Sequence, residues 1–390
     1  MVIGIDASRA FLHRRTGIEE YSYQVIRHLR DVIQKEDCVV LYVCKKLEIE
    51  NWKLKITNPP VDFPLPSNWK IRALWAPRFW TQFRLSLEML FHRPDVLFVP
   101  AHVVPVIHPK KTVVTVHGLE YEMFPEAYSF WERLYMRLSI RFSVRVASRV
   151  VAVSENTKRD LMRLYGVPEE KISVVYEGVS ENNFQFPISP AAAGPRQGDG
   201  NFRTISKSQF SKPKNPHLLF IGRLEERKNI VRIIEAFEIL KEKYHIPHVL
   251  VLAGKPGYGH ERIKNQKSKI KNQDLVFELG YVSEEEKFEL LKNADVFLFP
   301  TLYEGFGLPV LEAQAFGVPI VMSDTSSLPE VGGEGAAYAD PLSASDIAEK
   351  TWRILSEKDS RSAIIAAGRE NVRRFSWRKC SEEIARLLRK

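Results

Sequence analysis

The stretch Pro300-Thr-Leu-Tyr-Glu304-Gly-Phe-Gly-Leu-Pro-Val-Leu-Glu312-Ala decides how the rest of the chain is read. An apolar strand closes at Pro300 and an apolar helix starts at Leu308, so Gly305, Phe306 and Gly307 make a turn between them. Backbone amides of such a turn point at whatever occupies the crevice above the strand, and a helix N-terminus favours an anion, phosphate above all. Glu304 sits on the turn and Glu312 about two turns into the helix, roughly 12 Å apart along the axis at ~1.5 Å per residue. Two carboxylates so far apart cannot serve one bond as a pair. They suit the two ends of one long ligand.

Outward from this stretch, short runs of Val, Ile, Leu and Phe alternate with longer helical patterns, the mark of parallel sheets covered by helices. In the first half the strands are expected at 2–6, 39–43, 96–99, 112–117, 150–153 and 172–175. In the second half they are expected at 217–222, 248–254, 276–280, 296–300 and 319–322. Two Rossmann-like domains follow, an N-terminal one over 1–185 and a C-terminal one over 216–375. Between them, residues 186–215 are rich in Pro, Gly, Ala, Ser and Lys without a sustained apolar period, which reads as a linker or mobile insertion. Helices are expected at 345–357, 360–375 and 377–389.

A length of 390 residues exceeds what one core usually fills, and 44% hydrophobic with 11% aromatic residues are globular values. Cys38, Cys44 and Cys380 have no metal-ligand spacing, and their odd number argues against a disulfide framework. The start Met-Val-Ile-Gly-Ile-Asp is a strand pattern rather than a signal peptide, and no apolar run approaches the ~20 residues of a membrane span. The expected setting is cytoplasmic, with the inner face of the cell membrane as an alternative. A formal charge of +9 and a pI of 9.2 admit nucleic acid, anionic lipid or a phosphorylated substrate. No zinc knuckle, RNP-like or helix-turn-helix pattern favours nucleic acid.

The second half opens with Leu218-Leu-Phe-Ile-Gly222-Arg223-Leu-Glu-Glu-Arg-Lys228-Asn229, a strand, a turn and two cations five residues apart ahead of an amphipathic helix. Positioned Arg and Lys side chains neutralise a developing diphosphate charge without a metal. No Asp-x-Asp pair is present to hold a divalent ion. The run Glu284-Glu285-Glu286 complements the macrodipole of the helix it opens and reads as structural. In the first half, Val113-Val-Thr-Val-His117-Gly118-Leu-Glu sets a histidine at the carboxyl end of a buried strand, where open α/β sheets place ligand contacts. Gly17 begins the helix after the first strand, behind a polar loop carrying Arg9, Arg14 and Arg15. Arg133, Arg137, Arg141, Arg145 and Arg149 recur every four residues over a stretch, Phe130 to Arg149, expected to be one helix. Such a stripe either faces solvent or lies on anionic lipid. Ser154, in Val153-Ser154-Glu155, is placed to cap the next helix.

Taken together, these motifs resemble the retaining GT4 glycosyltransferases, whose fold is GT-B: two Rossmann-like domains facing each other across a cleft, with a C-terminal helix, here 376–390, crossing back to the first domain. The Glu-x7-Glu motif of that family is matched by Glu304 and Glu312. The resemblance implies a nucleotide-sugar donor held in the second domain and an acceptor in the first. Arg223 and Lys228 would then stabilise the leaving diphosphate, Glu304 and the backbone of Gly305, Phe306, Gly307 and Leu308 would hold sugar and phosphate, and Glu312 would meet the ribose. Val282, in the segment 280–283, would contact the base, and Gly17 would admit the donor phosphate where a side chain would block it. His117 would face the transferred sugar. The family's Asp after this histidine is Gly118 here, so its role is lost or supplied by Glu120.

The segment His117-Gly-Leu-Glu-Tyr-Glu-Met-Phe-Pro125-Glu126 is similar to that of bacterial mannosyltransferases of lipopolysaccharide or exopolysaccharide synthesis, which implies GDP-mannose as donor with a UDP-sugar as alternative. No cofactor or metal is implied. A glycan or lipid-linked hydroxyl is the expected acceptor, with peripheral contact to anionic membrane. Two other readings remain open at this point: a GT-B nucleotide-sugar epimerase, and a non-catalytic protein binding polyanions or membrane.

Overall fold

The computed structural model describes residues 1–12, 15, 17–50, 53–57, 64–75, 80–179 and 216–390. Arg14 and the expected linker 186–215 lie outside the described residues. Contacts divide the chain into two units, Met1–Gly178 with Phe375–Lys390, and Val179–Arg374.

The first unit holds β1 (Val2–Asp6), β2 (Cys38–Glu50), β3 (Lys53–Thr57), β4 (Trp69–Trp75), β5 (Val96–Val99), β6 (Lys111–Val116), β7 (Arg149–Ala152) and β8 (Ile172–Val174). Their order is β3-β2-β1-β5-β6-β7-β8, with β4 also paired to β2, and every pairing is parallel except β2 with β3. The second unit holds β9 (His217–Ile221), β10 (Val249–Ala253), β11 (Val276–Gly280), β12 (Val296–Phe299), β13 (Ile320–Ser323) and β14 (Ala337–Ala339), all parallel in the order β11-β10-β9-β12-β13-β14. Strands β5, β9, β10, β12 and β13 are buried along their whole length, as parallel strands covered on both faces must be. In each sheet the order reverses beside the first strand, between β1 and β5 and between β9 and β12. Open α/β sheets bind ligands above such reversals, because loops there diverge and leave a crevice.

Helices of the first unit are α1 (Gly17–Val32), α2 (Ser86–Phe91), α3 (Glu120–Met123), α4 (Phe130–Val146) and α5 (Glu155–Tyr165). Those of the second are α6 (Ile230–Tyr244), α7 (His260–Lys269), α8 (Glu284–Asn293), α9 (Leu308–Ala315), α10 (Leu328–Gly332), α11 (Ala344–Ser356) and α12 (Lys358–Val372). The last helix, α13 (Trp377–Arg389), returns to the first unit and buries Trp377, Cys380, Ile384 and Leu388 there. Ser381 Oγ donates to the Val25 carbonyl at 3.2 Å, and Arg389 Nη2 lies 2.8 Å from Asp37 Oδ2. The chain approaches itself closely where α13 starts: a Cβ on Gly178 would stand 2.1 Å from the Trp377 nitrogen.

One expectation is corrected. The helix begun at Phe130 stops at Val146, so the five arginines do not share it and Arg149 opens β7. Ala147 leaves helical geometry at ψ 142°. Ser148 then binds Thr112 in both directions, its N–H donating to the Thr112 carbonyl at 2.8 Å and its Oγ accepting from the Thr112 N–H at 3.1 Å, which turns the chain into the sheet. Strands β3, β4 and β14 were not anticipated. Ser154 caps α5 as expected, accepting from the Thr157 N–H, and Ser283 with Glu286 adds a capping box, not anticipated, that ties the acidic run to α8.

Candidate active site

Strand reversal in the second sheet brings the loop after β9 beside the loop after β12. Both are fastened before any ligand arrives. Asn229, at φ 60°, spends its side-chain amide on two carbonyls, Pro300 at 2.9 Å and Pro341 at 2.7 Å. The Leu302 N–H donates to the Arg227 carbonyl at 2.9 Å. On the other flank, the loop after β10 presses against Gly222 so tightly that a Cβ on Gly254 would stand 1.7 Å from the Gly222 oxygen.

Lys228 and Glu304 meet on this platform, 76 residues apart in sequence. Lys228 Nζ donates to Glu304 Oε1 at 2.5 Å, and both side chains are nearly buried. Arg227 supplies a second cation, its Nη1 3.4 Å from Glu304 Oε2 and 2.7 Å from the Tyr303 carbonyl, while its Nη2 pairs with Glu225 at 2.7 Å. Burial alone pushes the Glu304 carboxyl up, but Lys228 and Arg227 together hold it below the usual carboxylate range. Arg223 is different: its side chain is 67% exposed and reaches Glu225 only at 3.8 Å. The cluster therefore sets three cations against two carboxylates, with Arg223 the most exposed of them. An anion is attracted to such a surplus.

Glu304 is also fixed from below. Its N–H donates to Ser326 Oγ at 3.1 Å, and Ser327 Oγ donates to the carbonyls of Glu304 at 3.0 Å and Phe306 at 2.6 Å. Gly305 and Phe306 thus lie in a braced turn, with Gly307 in the N-cap position of α9, where no side chain caps the helix, and Leu308 as its first residue. Glu312, on the second turn of α9, does not join the cluster. It pairs with Lys287 of α8 at 2.6 Å, and Lys287 also meets Glu284 at 2.8 Å. Burial works against the Lys287 ammonium, yet the two carboxylates raise its pKa above the ordinary lysine range. Val282 precedes the Ser283 cap of α8, on the segment leading from β11.

In the first unit, His117 follows β6 with its ring almost enclosed. Nδ1 lies 3.0 Å from Glu177 Oε1 and Nε2 2.8 Å from the Pro100 carbonyl, so both nitrogens face acceptors. Tyr21 from α1 meets the ring edge-on at 4.5 Å, and its hydroxyl reaches Thr115 Oγ1 at 3.1 Å. His102 stacks edgewise at 5.2 Å, and burial drives its own pKa well below the imidazole value. The carboxylate beside His117 comes from Glu177, sixty residues on, and not from Glu120, which opens α3. Gly17 is the exposed first residue of α1, and nothing described lies within 4 Å of a Cβ built on it.

The structure therefore joins Glu304 to Lys228, leaves Arg223 exposed on the same loop, sets Glu312 against Lys287, and places His117 and Gly17 in the other unit. Sequence reasoning missed Arg227, Lys287 and Glu177. Arg227 adjoins Lys228 in a charged run, and only the fold distinguishes the inward cation from the solvated one. Among the described residues no group of three His, Cys, Asp or Glu is arranged to hold a metal ion.

Comparison with known proteins agrees with this architecture. Residues 201–371 match the family described as glycosyl transferases group 1, and residues 15–183 match glycosyltransferase family 4. The O-antigen chain mannosyltransferase B of Escherichia coli is 28% identical over 312 residues, 80% of this chain and 75% of the relative. The O-antigen chain mannosyltransferase RfbU of Salmonella typhimurium is 24% identical over 344 residues, 87% and 85% of the two chains. Among solved structures, Anabaena HepE in complex with UDP and glucose superposes with a TM-score of 0.69 at 15% identity, covering 100% of this chain and 99% of that one. WaaG, a glycosyltransferase involved in lipopolysaccharide biosynthesis, gives the same values. With two doubly wound parallel sheets and family matches over both halves, the chain belongs to the GT4-type glycosyltransferases of the GT-B fold.

Proposed function

We propose that the protein transfers mannose from GDP-mannose to a hydroxyl of a glycan or lipid-linked acceptor, with retention at the anomeric carbon and without a metal, in polysaccharide synthesis at the inner face of the cell membrane. The observation that carries the donor site is the meeting of Lys228 and Glu304 above the β9–β12 reversal, braced on both sides and carrying surplus positive charge. Mannose is supported by the O-antigen mannosyltransferase relatives, and a nucleotide sugar by the UDP-bound neighbour.

In this reading Lys228 is the fixed cation and Arg223 the one that swings onto the diphosphate as the glycosidic bond breaks. Charge that develops on the leaving phosphate then meets groups already oriented, which is the economical way to lower such a barrier. Glu304 keeps the Lys228 ammonium aimed and charged, and the turn 305–308 offers its backbone to sugar and phosphate. Glu312, with Lys287 as counter-ion, is left for the ribose, while Val282 borders the base. His117 and Gly17 contribute from the first domain. The leaving phosphate itself accepts the acceptor's proton on the same face, since retention needs no protein nucleophile in this scheme. Residues 1–185 bind acceptor and 216–375 bind donor, with 186–215 as linker and 376–390 returning to the first domain.

Calorimetric titration with GDP, UDP and ADP, then with the matching sugar nucleotides, tests the reading. Selective GDP binding that is lost in Lys228→Ala and Glu304→Ala supports it. UDP selectivity would move the donor to a UDP-sugar, and silence toward all three nucleotides would overturn the donor site.

A further inference from the structure

Of the seven acidic side chains buried among the described residues, six have a cation or a histidine within ion-pair distance, as Asp37 has Arg389 and Glu304 has Lys228. Asp6, only 7% exposed, has neither. Burial raises its pKa, against the opposing pull of the Ser8 N–H and hydroxyl, the Trp80 indole and the more distant Arg9. A buried carboxylate without a counter-ion is costly, and folds retain such groups chiefly where a function needs them.

Asp6 closes β1, the strand beside which the first sheet reverses, so it stands at the carboxyl ends where open α/β sheets receive ligands. One oxygen holds it in place: Oδ1 accepts from the Ser8 N–H at 3.1 Å and from the Trp80 indole N–H at 3.1 Å. Oδ2 receives neither of these bonds. Across the reversal, His102 follows β5 with φ 48°, a left-handed conformation that non-glycine residues seldom adopt and that collects at functional sites. His102 Nδ1 accepts from the His117 N–H at 3.5 Å, and Arg9 acts electrostatically on both Asp6 and His102. Asp6, Arg9, His102 and His117 thus converge at the ends of β1, β5 and β6.

Charge narrows the occupant of Oδ2. A cationic group would meet Arg9, and an anionic one would meet the Asp6 carboxylate itself. A neutral hydroxyl meets neither objection, and it gives a carboxylate oxygen a short, charge-assisted hydrogen bond. We propose that Asp6 is an acceptor-binding residue of the first unit, its Oδ2 receiving the hydrogen bond of a sugar hydroxyl while Ser8 and Trp80 hold the carboxylate through Oδ1. This rests on the reading that residues 1–185 bind a hydroxyl acceptor. Asp6 orients that hydroxyl, and the proton still leaves to the departing phosphate.

Asp6→Asn separates this role from a purely structural one. Asparagine keeps an oxygen for the Ser8 and Trp80 N–H groups but puts an amide donor where Oδ2 accepts. The full chain and this variant are titrated with octyl α-mannoside and octyl β-N-acetylglucosaminide by saturation-transfer NMR, and with GDP by calorimetry. The expected result is that at least one glycoside binds the parent and that its Kd rises about tenfold or more in Asp6→Asn. The variant, relieved of a buried charge, should melt at or above the parent temperature and bind GDP as the parent does. Equal glycoside affinity in the two proteins, no binding of either glycoside by the parent, or a variant that melts well below the parent would each overturn the proposal. Glycoside binding that depends on Asp6 in a protein that binds no GDP would support it and sink the donor site alone.

Discussion

Replacing Lys228 by Met would strip Glu304 of the ammonium at 2.5 Å while leaving its carboxylate buried. Breaking a buried pair from one side costs about 3–5 kcal/mol, because the surviving charge has neither water nor partner. Arg227 still reaches Glu304 at 3.4 Å, so the lower end, about 3 kcal/mol, applies. For a unit of this size, Val179–Arg374, that is a fall of roughly 6–12 °C in melting temperature. The double variant Lys228→Met/Glu304→Gln leaves no orphaned charge and should regain most of the loss, yet bind no nucleotide.

The pH dependence follows from the depressed Glu304 pKa. Its stabilisation is complete above the unfolded-state value of ~4.3 and disappears as pH falls through the lower folded value. The gap between parent and Lys228→Met, read by differential scanning calorimetry, should therefore be wide at pH 7, narrow as the pH falls past the unfolded-state value, and close only below the depressed folded value. A single variant melting within about a degree of the parent at pH 7, or a double variant less stable than the single, would refute the reasoning.

Three further outcomes follow from the same geometry. Asn229→Ala removes two hydrogen bonds and leaves the Pro300 and Pro341 carbonyls unmet, which should cost about 2–4 kcal/mol in urea unfolding and weaken nucleotide binding with it. Gly254→Ala forces a methyl group into the Gly222 carbonyl, so soluble protein should melt well below the parent and bind GDP poorly, both read from one thermal-shift titration. Glu177→Gln takes the charged acceptor from His117 and should lower transfer about tenfold or more while GDP affinity, read by calorimetry, stays put, because both residues belong to the first unit.

Most strands were legible because a parallel strand buried on both faces must be written in continuous Val, Ile, Leu and Phe, as Val96–Val99 and Val296–Phe299 are. The missed strands lack that constraint. Trp69–Trp75 carries Lys70 and Arg72 on an edge, and Ala337–Ala339 is three residues long. At the proposed donor platform, residue types and local spacing pointed to Lys228 and Glu304. Their contact could not be read, since nothing local says that a loop after one strand touches a loop 76 residues later. The same limit hid Glu177. Gly118 stands where the resemblance led one to expect an acid, and proximity in sequence suggested Glu120. The sheet instead carries the chain through β7 and β8 before returning a carboxylate to His117. Lys287 directly follows the acidic run in sequence, and its tie to Glu312 exists only once α8 and α9 are packed.

The return of α13 to the first unit has a consequence for how the molecule is made. Residues 1–178 leave the ribosome first, but the layer that Trp377, Cys380, Ile384 and Leu388 complete is still untranslated while the whole of 179–374 emerges. Domains usually mature in the order of synthesis. Here the later unit can reach its final state while the earlier one waits with an apolar side open, so nascent chains held short of residue 375 should recruit chaperone through the first unit.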